Sequence, residues 1–171
     1  MIADADDAAL AQLVREHHDR IYRFGVHVCR DGYDADDAVQ EAFTKLARRP
    51  DVVRDRGVLS WLMTVVRHAC LHLMRPFIRE RRRLGERIAD ADTIAAPTSD
   101  PHEALERWEL VQRVHAAIAA LPQPLREVLV MRDIEGISGP DTCEALGLGL
   151  AAMKTRLHRA RAELRAALAT S

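Results

Sequence analysis

Apolar residues recur at helical spacing along most of this chain. Leu10, Leu13, Val14, His17, Ile21 and Phe24 fall on one face and predict a helix over about residues 6–29, which Asp31-Gly32 breaks. A second predicted helix, about residues 34–48, turns Ala35, Ala38, Val39, Ala42, Phe43 and Leu46 inward and gathers its acids near the start, where they complement the helix dipole. Pro50 and the polar stretch 51–57 predict a loop. The third helix, about residues 59–75, closes a three-helix core with Trp61, Leu62, Val65, Val66, Ala69 and Leu73, with Cys70 as a further candidate; Pro76 is expected to kink or end it.

Residues 89–101 are rich in Ala, Asp, Thr, Ser and Pro and lack an apolar period, the composition of a flexible linker. They divide the chain into a first unit, residues 1–88, and a second, residues 102–171. Helices are predicted in the second unit over about residues 102–120, 124–134, 138–146 and 150–167. Pro124 suits a first helical turn, and Gly136 and Gly147 suit helix ends. The expected fold is all-α, two small helical domains joined by a flexible linker, the C-terminal one containing a helix-turn-helix.

Composition sharpens this picture. A hydrophobic fraction of 48% excludes a largely disordered chain, and 4% aromatic residues with abundant Ala, Leu and Arg favours helix over strand. The formal net charge of −1 argues against a chain that holds nucleic acid over its whole surface. Charge is segregated, however: acids gather at Asp4, Asp6 and Asp7 and again at Asp34, Asp36, Asp37 and Glu41, while bases gather over 75–87 and 154–165. Two nucleic-acid faces and an acidic protein-binding face fit within that total. Cys29, Cys70 and Cys143 are odd in number, widely spaced and without a C-x-x-C pair, so reduced, buried thiols in a cytosolic protein are expected. No apolar stretch reaches membrane-spanning length, and the acidic N-terminus is not a signal peptide, so no membrane insertion is expected.

Chemistry concentrates near the C-terminus. Ser138 with Asp141 three residues on is close to a capping box, Pro140 falls in the first turn, and Leu146-Gly147-Leu148-Gly149 supplies a turn. In the last helix Met153, Leu157, Ala160, Leu164 and Leu168 share one face. Thr155, His158, Arg159 and Ala162 lie opposite, flanked by Lys154 and Arg156. Such a helix packs by one side and enters a major groove by the other.

Ala120-Leu121-Pro122, Arg126-Glu127-Val128-Leu129, the run from Arg132 to Ser138 and the run from Lys154 to Arg161 resemble region 4 of the extracytoplasmic-function (ECF) group of the sigma-70 family. Independently, Asp36-Asp37-Ala38-Val39-Gln40-Glu41-Ala42-Phe43 resembles that family's region 2.2, and Ser60-Trp61-Leu62 with the following helix resembles regions 2.3 and 2.4. The resemblance covers nearly the whole chain, in order, with a short linker in place of a middle domain. It implies a transcription initiation factor that works with RNA polymerase core and promoter DNA, needs no cofactor and is not itself an enzyme. The implied polymerase contacts are Asp36, Asp37, Gln40 and Glu41 toward the clamp helices of the β′ subunit, with the β subunit as a further contact. The melted −10 element falls to Arg56, Trp61, Thr64, Arg67 and His68; Arg and His can both stack on an unpaired base and hydrogen-bond its edge. Arg75, Arg79, Arg81, Arg82 and Arg83 are implied phosphate contacts. Lys154, Thr155, Arg156, His158 and Arg159 are implied readers of the −35 duplex. An anti-sigma factor that clamps the two domains is a further implied partner, and the implied location is the bacterial cytoplasm, at the nucleoid when bound to polymerase.

The sequence departs from the family pattern at several positions. His68 stands where Asn is common, implying an altered −10 preference. Gly139-Pro140 replaces an aromatic and acidic pair, Thr142 an aliphatic, and Gly149 and Ala152 the usual Pro and Thr. A shorter or looser first helix and a weaker cap on the second are expected.

Other chemistries fare worse. His68 and His72 are four apart, but Cys70 points away from them, so a zinc site is not expected. No Gly-rich phosphate loop, G-x-S-x-G elbow or oriented Cys/His pair is present, which argues against catalysis. Two binding readings remain open: a helix-turn-helix regulator acting without a sigma role, which would bind DNA without polymerase, and a protein that sequesters a sigma factor, which would not need the Thr155/Arg159 face.

Overall fold

The computed structural model describes the backbone of residues 2–49, 51, 57–84 and 101–169, and the side chains of 8–49, 51, 57–73 and 107–169. Among these residues the structure is all helical: α1 (Ile2–Cys29), α2 (Gly32–Ala47), α3 (Val58–Leu84), α4 (Pro101–Ala120), α5 (Gln123–Leu129) continued by a π-helical turn (Val130–Ile134), α6 (Gly139–Leu146) and α7 (Leu150–Ala169). The expected loop over 51–57 and linker over 89–101 lie almost wholly outside the described residues; Asp51 is helical, Gly57 sits in a turn, and Pro101 opens α4.

In the first domain α1, α2 and α3 pack against one another. Ile21, Phe24 and Val28 from α1, Ala38, Ala42 and Leu46 from α2, and Leu62, Met63 and Val66 from α3 are buried together. Removing side chains such as Ile21, Phe24 and Leu62 from water stabilises the fold by about 1.5–3 kcal/mol each. The apolar period located these except Val28 and Met63, which it did not name; Phe43, Trp61 and Val65 are only partly buried against the core. Gly25 sits where α1 meets both α2 and α3: a Cβ there would lie 3.3 Å from the Ala35 Cβ and 3.4 Å from Val66 Cγ1. Between α1 and α2 the chain reverses at Arg30, in left-handed backbone (φ 65°). Asp31 is the cap of α2, accepting from the backbone N–H of Tyr33 at 2.7 Å and of Asp34 at 3.2 Å.

Two expectations are corrected here. The third helix does not end at Pro76 but runs through it to Leu84. Proline removes a single N–H, and the Arg79–Leu84 run of strong helix formers restores propagation beyond it. The cysteines are not all reduced and buried: Cys29 and Cys70 form a disulfide across α1 and α3, with Cα atoms 4.9 Å apart, while Cys143 is free and half-buried. The 41-residue separation carries no sequence signal, because only the packing of α1 on α3 brings the two sulfurs together. Cys70 is thereby committed to Cys29, away from any arrangement with His68 and His72.

The second domain is built around α5, which packs on α7, with α4 and α6 also against α7. Val128, Leu129, Val130, Met131, Met153, Leu157 and Ala160 form its centre. Arg126 is 1% exposed; it donates to the carbonyls of Ala119 at 3.0 Å and Leu121 at 2.7 Å, satisfying acceptors at the end of α4. Burial, with the Arg30 guanidinium second and Glu127 opposing, holds its pKa down to about 10, so it stays charged at neutral pH. The helix expected over 124–134 is α5 plus one wide turn, closed by Glu135 N–H to the Val130 carbonyl at 2.8 Å. The turn rotates the following residues off the α-helical register and delivers Glu135 to the first domain.

Candidate nucleic-acid interface

The turn between α6 and α7 is made by local sequence. Ser138 Oγ accepts from the Asp141 backbone N–H at 3.2 Å and donates to the Asp141 carboxylate at 2.6 Å, and Pro140 occupies the first turn. Gly147 (φ 62°) ends α6 in left-handed backbone, and Leu148 N–H returns to the Cys143 carbonyl at 2.8 Å. Gly149, at the entry to α7, has no side chain with which to cap it; its carbonyl accepts from Met153 N–H at 3.0 Å.

α7 is two-faced, as its periodicity requires. Met153, Leu157 and Ala160 are buried, whereas Lys154, Thr155, His158 and Arg159 are exposed and Arg156 is half-buried at their edge. Thr155 donates its hydroxyl to the Ala151 carbonyl at 2.9 Å, leaving its lone pairs outward. Arg161 makes a two-point pair with Asp133, Nε to Oδ2 at 2.7 Å and Nη2 to Oδ1 at 2.6 Å, which ties the exposed side of α7 to the π-helical turn. α7 thus presents a cationic, hydrogen-bonding surface from a rigid helix.

A second set of groups lies on α3. Trp61 packs partly against the core, Thr64 donates to the Ser60 carbonyl at 2.8 Å, and His68 is exposed one position beyond Arg67. Arg67 is not free: its Nε donates to Glu127 Oε2 at 3.0 Å, across to α5. Arg56 lies outside the described residues. Arg75, Arg79, Arg81, Arg82 and Arg83 lie on the described helix, but their side chains are outside the described set. On α2, Asp36, Asp37, Gln40 and Glu41 are all exposed, Glu41 paired with Lys45 at 2.5 Å.

Residues 13–83 match Sigma-70 region 2 and residues 111–164 match Sigma-70, region 4. The chain is 35% identical over 160 residues to the ECF RNA polymerase sigma factor SigM of Mycobacterium tuberculosis, covering 93% of this chain and 76% of that protein. It belongs to the ECF sigma factors. It is also 31% identical over 170 residues to the ECF RNA polymerase sigma factor SigE of Mycolicibacterium smegmatis, spanning 98% of this chain but 65% of that longer relative. The sigma factor RpoE from Bartonella quintana, solved in complex with the anti-sigma factor NepR, shares the fold at a TM-score of 0.74 and 22% identity over 92% of this chain and 95% of that one.

Within this sigma factor, Thr142 gives a physical meaning to one departure from the family pattern. Its side chain is fully buried on α6, and Oγ1 has no hydrogen-bond partner among the described residues. The helix runs from Gly139 to Leu146 with Thr142 inside it, and the cost is an unsatisfied hydroxyl. Thr142→Val, which keeps the shape and removes the polar atom, is expected to raise the unfolding free energy by about 1 kcal/mol. Urea unfolding of the two chains measures this, and a lower midpoint for the valine variant contradicts it.

Sequence reasoning assigned no contact to Arg20, Arg23, Glu127 or Glu135, although the last two fall within the motif runs. Glu127 and Glu135 are 3% and 4% exposed, unusual for carboxylates, and each is met by arginine from the other domain. Their partners lie 60 to 115 positions away, and no local pattern encodes such a pairing.

Proposed function

We propose that this sigma factor directs DNA-templated transcription initiation by binding RNA polymerase core and placing two promoter elements. The observation that carries it is the face of α7, where Lys154, Thr155, His158 and Arg159 stand exposed opposite a buried apolar seam, behind a capped helix-turn-helix. Those residues, with Arg156, read the −35 element in the major groove. Trp61, Thr64, Arg67 and His68, with Arg56, form the −10 surface, and Arg75, Arg79, Arg81, Arg82 and Arg83 hold phosphates. The exposed Asp36, Asp37, Gln40 and Glu41 of α2 meet the clamp helices of the polymerase, the acid-rich, polar character expected of a surface that meets a basic partner. The polymerase performs the chemistry.

The regulator reading has no structural feature in its favour that the sigma reading lacks. Control by an anti-sigma factor is part of the proposal, supported by the Bartonella relative solved with one. Among the described residues no helix is long and apolar enough to cross a membrane, and the proposed site of action is the bacterial cytoplasm.

The test is transcription. Purified chain added to bacterial core polymerase and a promoter library is expected to yield transcripts from defined start sites whose upstream sequences share two elements. Binding to duplex DNA with no effect on active core contradicts the proposal. Within that assay, Arg159→Ala is expected to weaken −35 recognition by about 1–3 kcal/mol and to relax preference at one base pair. A uniform loss across all −35 sequences would reassign Arg159 to the phosphates.

A further inference from the structure

The last helix is strongly basic, and its cations are not held alike. Along α7, Lys154, Arg156, Arg159, Arg161 and Arg165 are set against a single acid, Glu163. Among the described residues, Arg161 is the one cation of α7 that meets a carboxylate: Nε lies 2.7 Å from Asp133 Oδ2 and Nη2 2.6 Å from Oδ1, so both carboxylate oxygens are taken. The acid comes from the π-helical turn. The other charged side chain of that turn, Arg132, donates to the Ile137 carbonyl, which leaves Asp133 to Arg161.

Position makes this pairing consequential. At about 100° per residue, seven residues bring a helix back to within about 20° of the same side, so Arg161 stands in a row with Lys154, and Arg165 is about 40° further round. The row flanks the reading face of Thr155, His158 and Arg159. A cation on the flank of a helix seated in a major groove is placed for a backbone phosphate, a contact that positions the helix but carries no sequence information. Lys154 and Arg165 are exposed, with no carboxylate partner among the described residues, and can make it. Arg161 is held at two points, the stronger form of an ion pair. Both of its partners still reach water, with 52% of the Arg161 side chain and 31% of the Asp133 side chain exposed. An exposed pair competes with a phosphate on comparable terms, so Asp133 holds Arg161 back in part of the population.

We propose that Asp133 withholds Arg161 from the DNA backbone and so sets how hard α7 grips a duplex, without altering which bases it reads. The inference rests on the −35 reading above. A phosphate contact adds equally to binding at promoters and at bulk DNA. With bulk sites in large excess, a further sequence-independent contact would hold the chain away from promoters. The looser grip leaves occupancy to be decided by Thr155, His158 and Arg159.

The test uses the full chain with bacterial core polymerase, a promoter duplex taken from the library selection, and the same duplex with single substitutions in the −35 element. For Asp133→Asn, the plot of log affinity against log salt is expected to steepen by up to about 0.9, the counterion release of one further phosphate contact. At low salt this variant should bind every duplex several-fold more tightly, with the differences among the substituted duplexes unchanged. Asp133→Asn/Arg161→Gln is expected to return to the wild-type slope. Glu109→Gln, which removes one negative charge from an exposed position of α4, is expected to keep it. An unchanged slope, weaker binding, a relaxed base preference or lost helix content in Asp133→Asn overturns the proposal, as does a steep slope that persists in the double variant or appears in Glu109→Gln. Arg159→Ala separates the two readings. If it weakens binding while Asp133→Asn leaves the slope unchanged, only the withholding role falls; if it leaves promoter binding unchanged, the −35 reading fails and the role of Asp133 falls with it.

Discussion

Reduction of the Cys29–Cys70 bridge is expected to lower the unfolding free energy by about 4 kcal/mol, from the entropy of the 41-residue loop it closes in the unfolded chain. The loop contains all of α2, so the reduced unfolded chain gains freedom in the segment that carries Asp36, Asp37, Gln40 and Glu41. Both cysteines are buried, Cys29 at 3% and Cys70 at 0% exposure, so each reduced thiol still packs as a small apolar group and the folded state changes little. The effect therefore falls on the unfolded ensemble and should move the urea midpoint without changing the native spectrum. Parallel titrations with and without a phosphine reductant measure it, and intact mass reports whether the pair has lost two hydrogens. Equal midpoints from chains that differ by that mass would refute the estimate. A change of this size is a large share of the stability of an ordinary domain, so the fold of the first domain depends on the thiol state of its surroundings.

What could be read from the sequence was what local periodicity encodes. The buried faces of α1, α2, α3 and α7 follow from residues three and four apart, and even His17, on the apolar stripe of α1, is 8% exposed. Ser138, Asp141 and Gly147 announced the helix-turn-helix because caps and left-handed turns are decided by neighbours within five residues. The face formed by Lys154, Thr155, His158 and Arg159 was legible for the same reason. Arg67 shows the limit: its position on α3 was readable, but its engagement with Glu127 depends on how two domains meet. The Cys29–Cys70 pair, the insertion of Glu135 between Arg20 and Arg23, and the π-helical turn that brings it there are likewise products of tertiary packing. Pro76 misled in the other direction, because a helix breaker weighs only about 3 kcal/mol against a long run of favourable residues on both sides.

Acidification is expected to destabilise the packed chain through His27. This residue, in the last turn of α1, stacks on His115 of α4 with ring centroids 5.6 Å apart. Burial first, then the neighbouring His115, Arg126 and Arg23, push its pKa down from 6.5 to about 4. The folded state holds the neutral ring, while the unfolded chain binds a proton below about pH 6.5. The stabilisation is therefore complete above pH 6.5 and is lost as pH falls toward 4, with about 2 kcal/mol gone by about pH 5 and about 3 by about pH 4. His17, whose pKa burial also lowers, adds a contribution of the same sign. Urea unfolding between pH 7 and 4.5 measures the slope, and His27→Gln isolates one group: the variant should be flatter than the wild type over that window. Coincident slopes would show that His27 is not held neutral. Because His115 and Arg126 belong to the second domain, most of the charge that opposes protonation of His27 is present only while the domains are packed.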